Sequence, residues 1–364
     1  MFFEKRIILC LLLGCLFSSM GAIGAKKYNQ GVITLPIVGG KEYDISFCCL
    51  EWLHPFDSKK YGKVKDYLIA EVGIDKDSFV KPRMVTEDEL RLVHTQRYLA
   101  SLKSSWTIYR ITEIFLLFLV PNFILRKVIL DPMKLATGGT IQAAKLALKH
   151  GWAINLGGGY HHAKSDVIED GGYCVYADIP IAAHVLWKTN PDLKIMVIDL
   201  DAHQGNGHES VFKKDKRVAI FDVYNEDIDP WDEEAKKYIT FNVPVKSGIT
   251  GKKYMEKLKK ELNGALDQLE KQNKKPDLII FNAGTDPLDS DSLGLMKVSD
   301  EKMVERDEFV FEQAKNRNIP ILYLFSGGYS KKSTLVVCRS LENILGKFLE
   351  IKKGAKIEKV PALF

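Results

Sequence analysis

The chain has 364 residues, is 46% hydrophobic and 27% charged, and carries a net charge of +5. That is the composition of a soluble globular protein with a sizeable core, long enough for one large α/β domain or two ordinary ones. The charge is small for the length, so Lys-rich stretches at 271–275 and 350–359 read as solvated faces or a tail, and no direct nucleic-acid binding is expected. Heptads, solenoid periods and low-complexity tracts are absent from the sequence.

The N-terminus has the layout of a secretory signal over residues 1–25. A basic start (MFFEKR) precedes an apolar run at 7–17, followed by the small residues of SSMGAIGA. The run is shorter than the ~20 residues of a comfortable membrane span. Cleaved, it would send the chain to the secretory pathway, periplasm or exterior; uncleaved, it would anchor the chain to a membrane. A cytoplasmic or nuclear location is less favoured. The other apolar stretch, IFLLFLVPNFIL at 114–125, is interrupted by Pro121-Asn122 and reads as a buried helix or greasy surface element. Cys48, Cys49, Cys174 and Cys338 have no framework spacing and read as core residues.

Past residue 30, β-rich runs at 153–156, 195–200, 218–223, 278–282 and 321–325 alternate with helical patterns at 137–150, 179–188, 253–272 and 300–315. Apolar strands separated by helices predict a single α/β domain over residues 30–350, with a mostly parallel sheet covered on both faces. Residues 31–135 are expected to supply helices and loops around it, and 351–364 a basic tail.

Four of these runs end in unusual residues: INL into GGGYHH, IMVIDL into DAHQGNG, LIIF into NAGTD, and LYLF into SGGY. The carboxyl ends of parallel strands line one crevice, where ligands bind. In VIDLDAH the period of two puts Asp199, Asp201 and His203 on one side. Such groups are not buried unpaired, and a metal ion is their natural partner. Asp201 and His203 are the expected ligands, with Asp286 the third, which leaves a position open for water or substrate. The donor set suits Zn²⁺ best, with Fe²⁺, Co²⁺ or Mn²⁺ admissible. His161 and His162 can then serve as acid and base. Asp199 is placed to orient one imidazole, while Asn206 could hold the other without supplying charge. Tyr329 offers a hydroxyl to an oxyanion, and Gly327 and Gly328 let its loop approach the substrate.

GGGYHHA, DLDAHQGNGHE, NAGTD and SGGY, in that order, resemble the histone deacetylase family within the arginase/deacetylase fold. LEWLHPFD at 50–57, VHTQRYL, ITEI with VPNF, TGGT and FDVYNEDI resemble its class IV branch. The resemblance implies a single zinc ion on Asp201, His203 and Asp286, an acid–base pair at His161 and His162, and a carbonyl-polarising Tyr329. It also implies a structural K⁺ near Asp199, Asp201 and His203, and a substrate tunnel walled by Tyr173, with Gly159 and Tyr224 as lesser candidates. The implied substrate is an acylated lysine in a protein or peptide, with long fatty acyl groups favoured over acetyl. Ser326 stands where the commoner pattern has glycine, and Asn206 where it has aspartate.

Other readings fare worse. An arginase-like second metal would need acids at Gly205 and Leu288. A dinucleotide-binding loop would need G-x-G-x-x-G opening a helix. A non-catalytic acyl-lysine or polyamine binder has no use for two histidines and Tyr329, and a small acylated amine is a further substrate class. His54 and His94 are expected to pack or hydrogen-bond in loops, His150 and His184 to be plain residues, His208 to lie behind the metal ligands, and Asp289 and Asp291 to be solvated turn residues.

Overall fold

The computed structural model describes residues 33–46, 54–167, 171–351, 357 and 359–364. The signal-like segment, Cys48 and Cys49 lie outside these residues. The described strands are β1 (Ile37–Val38), β2 (Trp152–Asn155), β3 (Ile195–Asp199), β4 (Val218–Asp222), β5 (Phe241–Asn242), β6 (Leu278–Asn282) and β7 (Ile321–Leu324). They form one wholly parallel sheet in the order β1-β2-β7-β6-β3-β4-β5. Every residue of β2, β3, β6 and β7 is buried, as expected for strands covered on both faces. From residue 131 onward the sheet is accompanied by α1 (Asp131–His150), α2 (Asp178–Trp187), α3 (Asn206–Phe212), α4 (Gly251–Lys271), α5 (Asp300–Asn316) and α6 (Ser333–Phe348).

The spatial order places β2, β7, β6 and β3 side by side. These are the strands whose carboxyl ends carry GGGYHH, SGGY, NAGTD and DAHQGNG. Their register is level: Asp199 pairs with Asn282 on one side and Asp222 on the other. The four polar segments therefore emerge at one height along one edge.

Several elements differ from the sequence expectation. The region 31–135 does not only pack around the sheet, because it contributes β1. Neither β1 nor β5 exceeds two residues, too short to show a period. Helix α1 begins six residues before the predicted pattern, and its Gly138 and Gly139 are required by close approach. A Cβ on Gly138 would lie 1.9 Å from the Arg83 carbonyl, and one on Gly139 2.0 Å from the Tyr43 hydroxyl. Helix α6 lies outside the predicted helical patterns; it buries Val337, Leu341 and Leu345 at helical spacing. The final residues are no free tail. Leu363 is buried, and Trp152 donates its indole N–H to the Pro361 carbonyl at 2.8 Å. Residues 114–125 form a surface element, and no helix among the described residues is long and apolar enough to cross a membrane. Cys174 and Cys338 are buried free thiols.

One buried charge ties the layers to the sheet's working edge. Arg306, from α5, donates to the carbonyls of Leu200 (3.0 Å) and Gly284 (2.6 Å) and contacts the Asp307 carboxylate at 2.7 Å. It thereby holds the chain leaving β3 against the chain leaving β6. Replacing it, Arg306→Met, strips those carbonyls and leaves Asp307 buried without a cation. Such loss of one partner costs about 3–5 kcal/mol. Urea unfolding of the variant is expected to show a destabilisation of that size.

Candidate active site

Three acceptor and donor atoms meet where β3 and β6 end. The His203 Nδ1 lies 3.2 Å from Asp201 Oδ1 and 2.7 Å from Asp286 Oδ2, and all three side chains are buried. Burial and the neighbouring charge of Asp201 push the Asp286 carboxyl up to about 7. Two carboxylates this close, withdrawn from water, need positive charge between them. One ligand atom from each of the three residues falls within a 4.8 Å span, so a single metal ion fits this set. Two carboxylates and one imidazole leave further coordination positions free.

The predicted common face of Asp199, Asp201 and His203 is only partly realised. β3 ends at Asp199 and the chain bends beyond it. Asp201 and His203 turn to Asp286, whereas Asp199 turns to His161. The His161 Nδ1 sits 3.0 Å from Asp199 Oδ2, and its Nε2 lies 3.6 Å from Asp201 Oδ1. Burial opposes charge on His161, but Asp201 and Asp199 overcome it and hold the imidazole up at about 9. The next residue behaves in the opposite way. His162 Nδ1 lies 2.9 Å from the Asn206 amide oxygen, a neutral acceptor. Burial, then the positive charge of His161 and His203, pushes His162 well below the usual histidine range. The two rings lie 4.0 Å apart between centroids. They form an unequal pair, one favouring the cation and one favouring the neutral base.

Tyr329 closes the site from β7. Its ring stands edge-on to His203 at 5.9 Å, and its backbone N–H donates to Asp291 Oδ2 at 2.7 Å. The loop before it is anchored to the metal-capable set, because Ser326 Oγ (3.0 Å) and Gly327 N–H (2.9 Å) both donate to Asp201 Oδ2. Lys60, fully buried, donates to the Ser326 carbonyl from the other side at 2.6 Å. Gly159 lies at φ +80°, and a Cβ there would come within 2.4 Å of Asn282 Oδ1, so the three-glycine loop is backbone packed against the site.

Two spaces meet at this point. A mouth of about 410 Å³ is lined by His54, Glu113, His162, His203, Trp231 and Tyr329, among others. A smaller inner pocket of about 30 Å³ is lined by Phe56, Tyr61, Gly159, His161, Tyr173 and Tyr329, among others. His161 and His162 thus face different spaces, and Tyr329 borders both.

Residues 54–345 match the histone deacetylase domain. The chain belongs to the histone deacetylase family. It is 44% identical over 308 residues to histone deacetylase 2 of Arabidopsis thaliana, covering 85% of this chain and 78% of that one. Human histone deacetylase 1 is 30% identical over 207 residues, which span 54% of this chain but only 40% of that protein. The fold is also shared with a histone deacetylase homolog from Aquifex aeolicus, at TM-score 0.66 and 22% identity over 89% of this chain and 85% of that one. The HD domain of HDA15 gives TM-score 0.67 at 18% identity, over 90% and 92%. The chain is accordingly a hydrolase of the deacetylase type.

Against this family framework, some residues sit elsewhere than the sequence suggested. Asp291 is not a solvated turn residue. It is buried and accepts N–H groups from Leu293, Gly294 and Tyr329. Asp289 is exposed, as expected. Tyr173 does wall the inner pocket, and its ring lies 5.0 Å from His54. Tyr224 borders neither the mouth nor the inner pocket; it is buried, with Lys236 over its ring. Gly328 lies at φ +131°, and a Cβ there would meet Thr285 Oγ1 at 2.1 Å, so its smallness serves the loop's packing. His94 packs in its loop, accepting the Ala177 N–H at 3.0 Å. Asp199, His208 and Asp222 form a second buried group of potential metal-ligand atoms. Lys60 and Asp291 carried no sequence signal of their own, because each acquires its neighbours only when distant loops meet.

Asp291 is the support of Tyr329 that can be removed most cleanly. Asp291→Ala is expected to lower deacetylase turnover about tenfold or more, since small misplacements of a positioned group are costly. The metal content per chain should be unchanged. Steady-state kinetics beside metal analysis reads both.

Proposed function

We propose that this deacetylase removes acyl groups from lysine side chains, with one zinc ion held by Asp201, His203 and Asp286. When bound there, zinc would polarise the acyl oxygen and make water a better nucleophile. The observation that carries the reading is the unequal histidine pair beside Tyr329. His162, neutral and facing the mouth, has Nε2 free to take the proton from the attacking water, while its Nδ1 is fixed by Asn206. His161, oriented through its Nδ1 by the Asp199 carboxylate and lining the inner pocket, presents its other ring nitrogen toward the side where the acyl oxygen becomes negative. The Tyr329 hydroxyl donates to that same oxygen. The proton taken by His162 then passes to the leaving lysine amine. A binder that merely held an acyl-lysine would need none of this asymmetry.

The wide mouth suits a protein or peptide lysine better than a small acylated amine. The acyl group itself would point into the inner pocket among Phe56, Tyr61 and Tyr173. At about 30 Å³ this pocket holds roughly two water-sized groups, enough for an acetyl methyl and too little for a fatty chain. The geometry thus favours acetyl, against the preference for long acyl groups that class IV resemblance implies. The class IV motifs remain the basis for placing the chain in that branch. A K⁺ ion near Asp199, as the resemblance implies, would offset the charge collected behind His161. Residues 1–25 support export or membrane anchoring as the chain's destination.

Two experiments test the reading. His162→Ala and Tyr329→Phe should each lower kcat for an acetyl-lysine peptide by about a hundredfold or more, with zinc still near one ion per chain. Full activity in either variant would remove the proposed mechanism. A panel of peptides from acetyl to myristoyl on the wild-type protein should show the highest kcat/KM for acetyl. A myristoyl value above the acetyl one would show that the inner pocket opens and would restore the long-chain preference.

A further inference from the structure

Residues 103–130 form a hairpin whose apolar outer face is left exposed by the described residues. Trp106, Phe115, Leu119 and Phe123 are 55%, 60%, 68% and 74% exposed. Trp106, Tyr109, Phe115 and Phe118 touch ring to ring at 5.0–6.2 Å between centroids and so form one aromatic cluster, with Leu119 next to it in the chain. Its inner side is ordinary core, with Ile108, Ile111, Leu117 and Leu125 buried. Two hydrogen bonds hold the hairpin closed: Ser105 Oγ donates to the Val120 carbonyl (2.7 Å) and Asn122 Nδ2 to the Leu102 carbonyl (3.1 Å). A contiguous exposed patch of this kind marks an interaction surface, unlike single scattered apolar residues.

The charges beside the patch indicate its partner. A cleft of about 120 Å³ next to it is lined by Lys103, Arg126 and Lys134, with Glu87 as its acid. Glu87 is paired with Arg91 at 3.5 Å, whereas none of the three cations joins an ion pair among the described residues. Across residues 103–130 the only acid is Glu113, against Lys103, Arg110, Arg126 and Lys127. Phe123 and Lys127 are four apart, so an aromatic anchor and a cation lie on neighbouring turns. Tryptophan, tyrosine and phenylalanine above a fringe of basic side chains match the boundary between acyl chains and anionic headgroups. A second copy of the chain fits less well, because pairing the apolar faces would bring two cationic clefts together.

We propose that this face, with the Lys103–Arg126–Lys134 cleft beside it, docks on the surface of an anionic lipid bilayer. The aromatic and leucine side chains enter the headgroup boundary, and the cleft takes lipid phosphate or carboxylate. Glu113, within the hairpin, lies on the wall of the active-site mouth, so docking sets that mouth beside the bilayer. The proposal does not depend on the acyl-lysine reading, and its test does not use activity as evidence for binding.

The full chain is mixed with vesicles of phosphatidylcholine, with or without phosphatidylserine, whose acyl chains carry bromine. Binding is read by flotation, and insertion by the part of the tryptophan emission that Trp106→Phe removes. Because residues 1–25 can themselves reach a membrane, the Trp106-dependent quenching decides. Quenching on phosphatidylserine vesicles is expected, with a loss of several-fold in Leu119→Ser/Phe123→Ser. Lys103→Glu/Lys134→Glu should weaken binding to phosphatidylserine vesicles by tenfold or more. Turnover of a soluble acetyl-lysine peptide should stay at the wild-type level in both double variants, which shows that they fold. Flotation without Trp106-dependent quenching overturns the proposal, as does no flotation. A doubled mass in light scattering that Leu119→Ser/Phe123→Ser abolishes overturns it in favour of self-association.

Discussion

Asp201 and Asp286 lie fully buried around one imidazole nitrogen, and much of the surrounding structure serves to keep their charge compensated. Isolated carboxylates out of water are prohibitively unfavourable, so each oxygen must find a donor or a cation. Asp201 Oδ2 takes the Ser326 hydroxyl and the Gly327 N–H, and Asp286 Oδ1 takes the Ala202 N–H at 2.7 Å. These bonds fasten the ends of β3, β6 and β7 to each other. The same requirement that stabilises the charges therefore fixes the loop that presents Tyr329. Arg306 supports the arrangement from below, gripping the carbonyls of the two ligand-bearing segments.

The pairing of the histidines follows from what stands behind them. His161 backs onto a carboxylate and His162 onto a neutral amide, so nothing behind His162 offsets the burial that disfavours its charge, whereas Asp201 and Asp199 offset it at His161. An amide fixes ring orientation as well as a carboxylate does, without drawing a proton onto the ring. A site that needs a neutral base near neutral pH gains from that neutrality. Ser326 is a comparable case. Its one hydroxyl proton lies within reach of both Asp201 Oδ2 (3.0 Å) and the Gly159 carbonyl (3.1 Å), a donor that glycine lacks.

Much of this was legible in the sequence because strands and site share a cause. Apolar β-runs that stop abruptly at His, Asp or Gly-rich segments mark strand ends, and parallel topology gathers such ends on one edge. Individual supports were not legible. Asp291 reads as a turn residue in PLDSDS, and only the return of the β7 loop brings it the Tyr329 N–H. Lys60 lies in KKYGKVK, which looks like a solvated helix, yet its ammonium is buried against Ser326 and over the Phe56 ring at 4.5 Å. Tyr224 shows the reverse error. The family resemblance offers it as a lesser wall of the substrate tunnel, but it lines neither space. In each case the deciding contact joins residues far apart in the chain, and no local period encodes it.

The strand order carries a consequence for how the molecule is built. β7, among the last strands made on the ribosome, is inserted between β2 and β6. Until it arrives, β2 and β6 each present a bare row of N–H and C=O groups on their inner edges, in strands that are apolar up to their terminal asparagines. Nor can Ser326 and Gly327 yet shield Asp201. Synthesis thus passes through a long interval in which two half-sheets exist with open seams and an uncompensated acid. Such intermediates are prone to mispair with other chains. Nascent-chain protection, rather than the stability of the finished fold, is the step at which this architecture is most exposed.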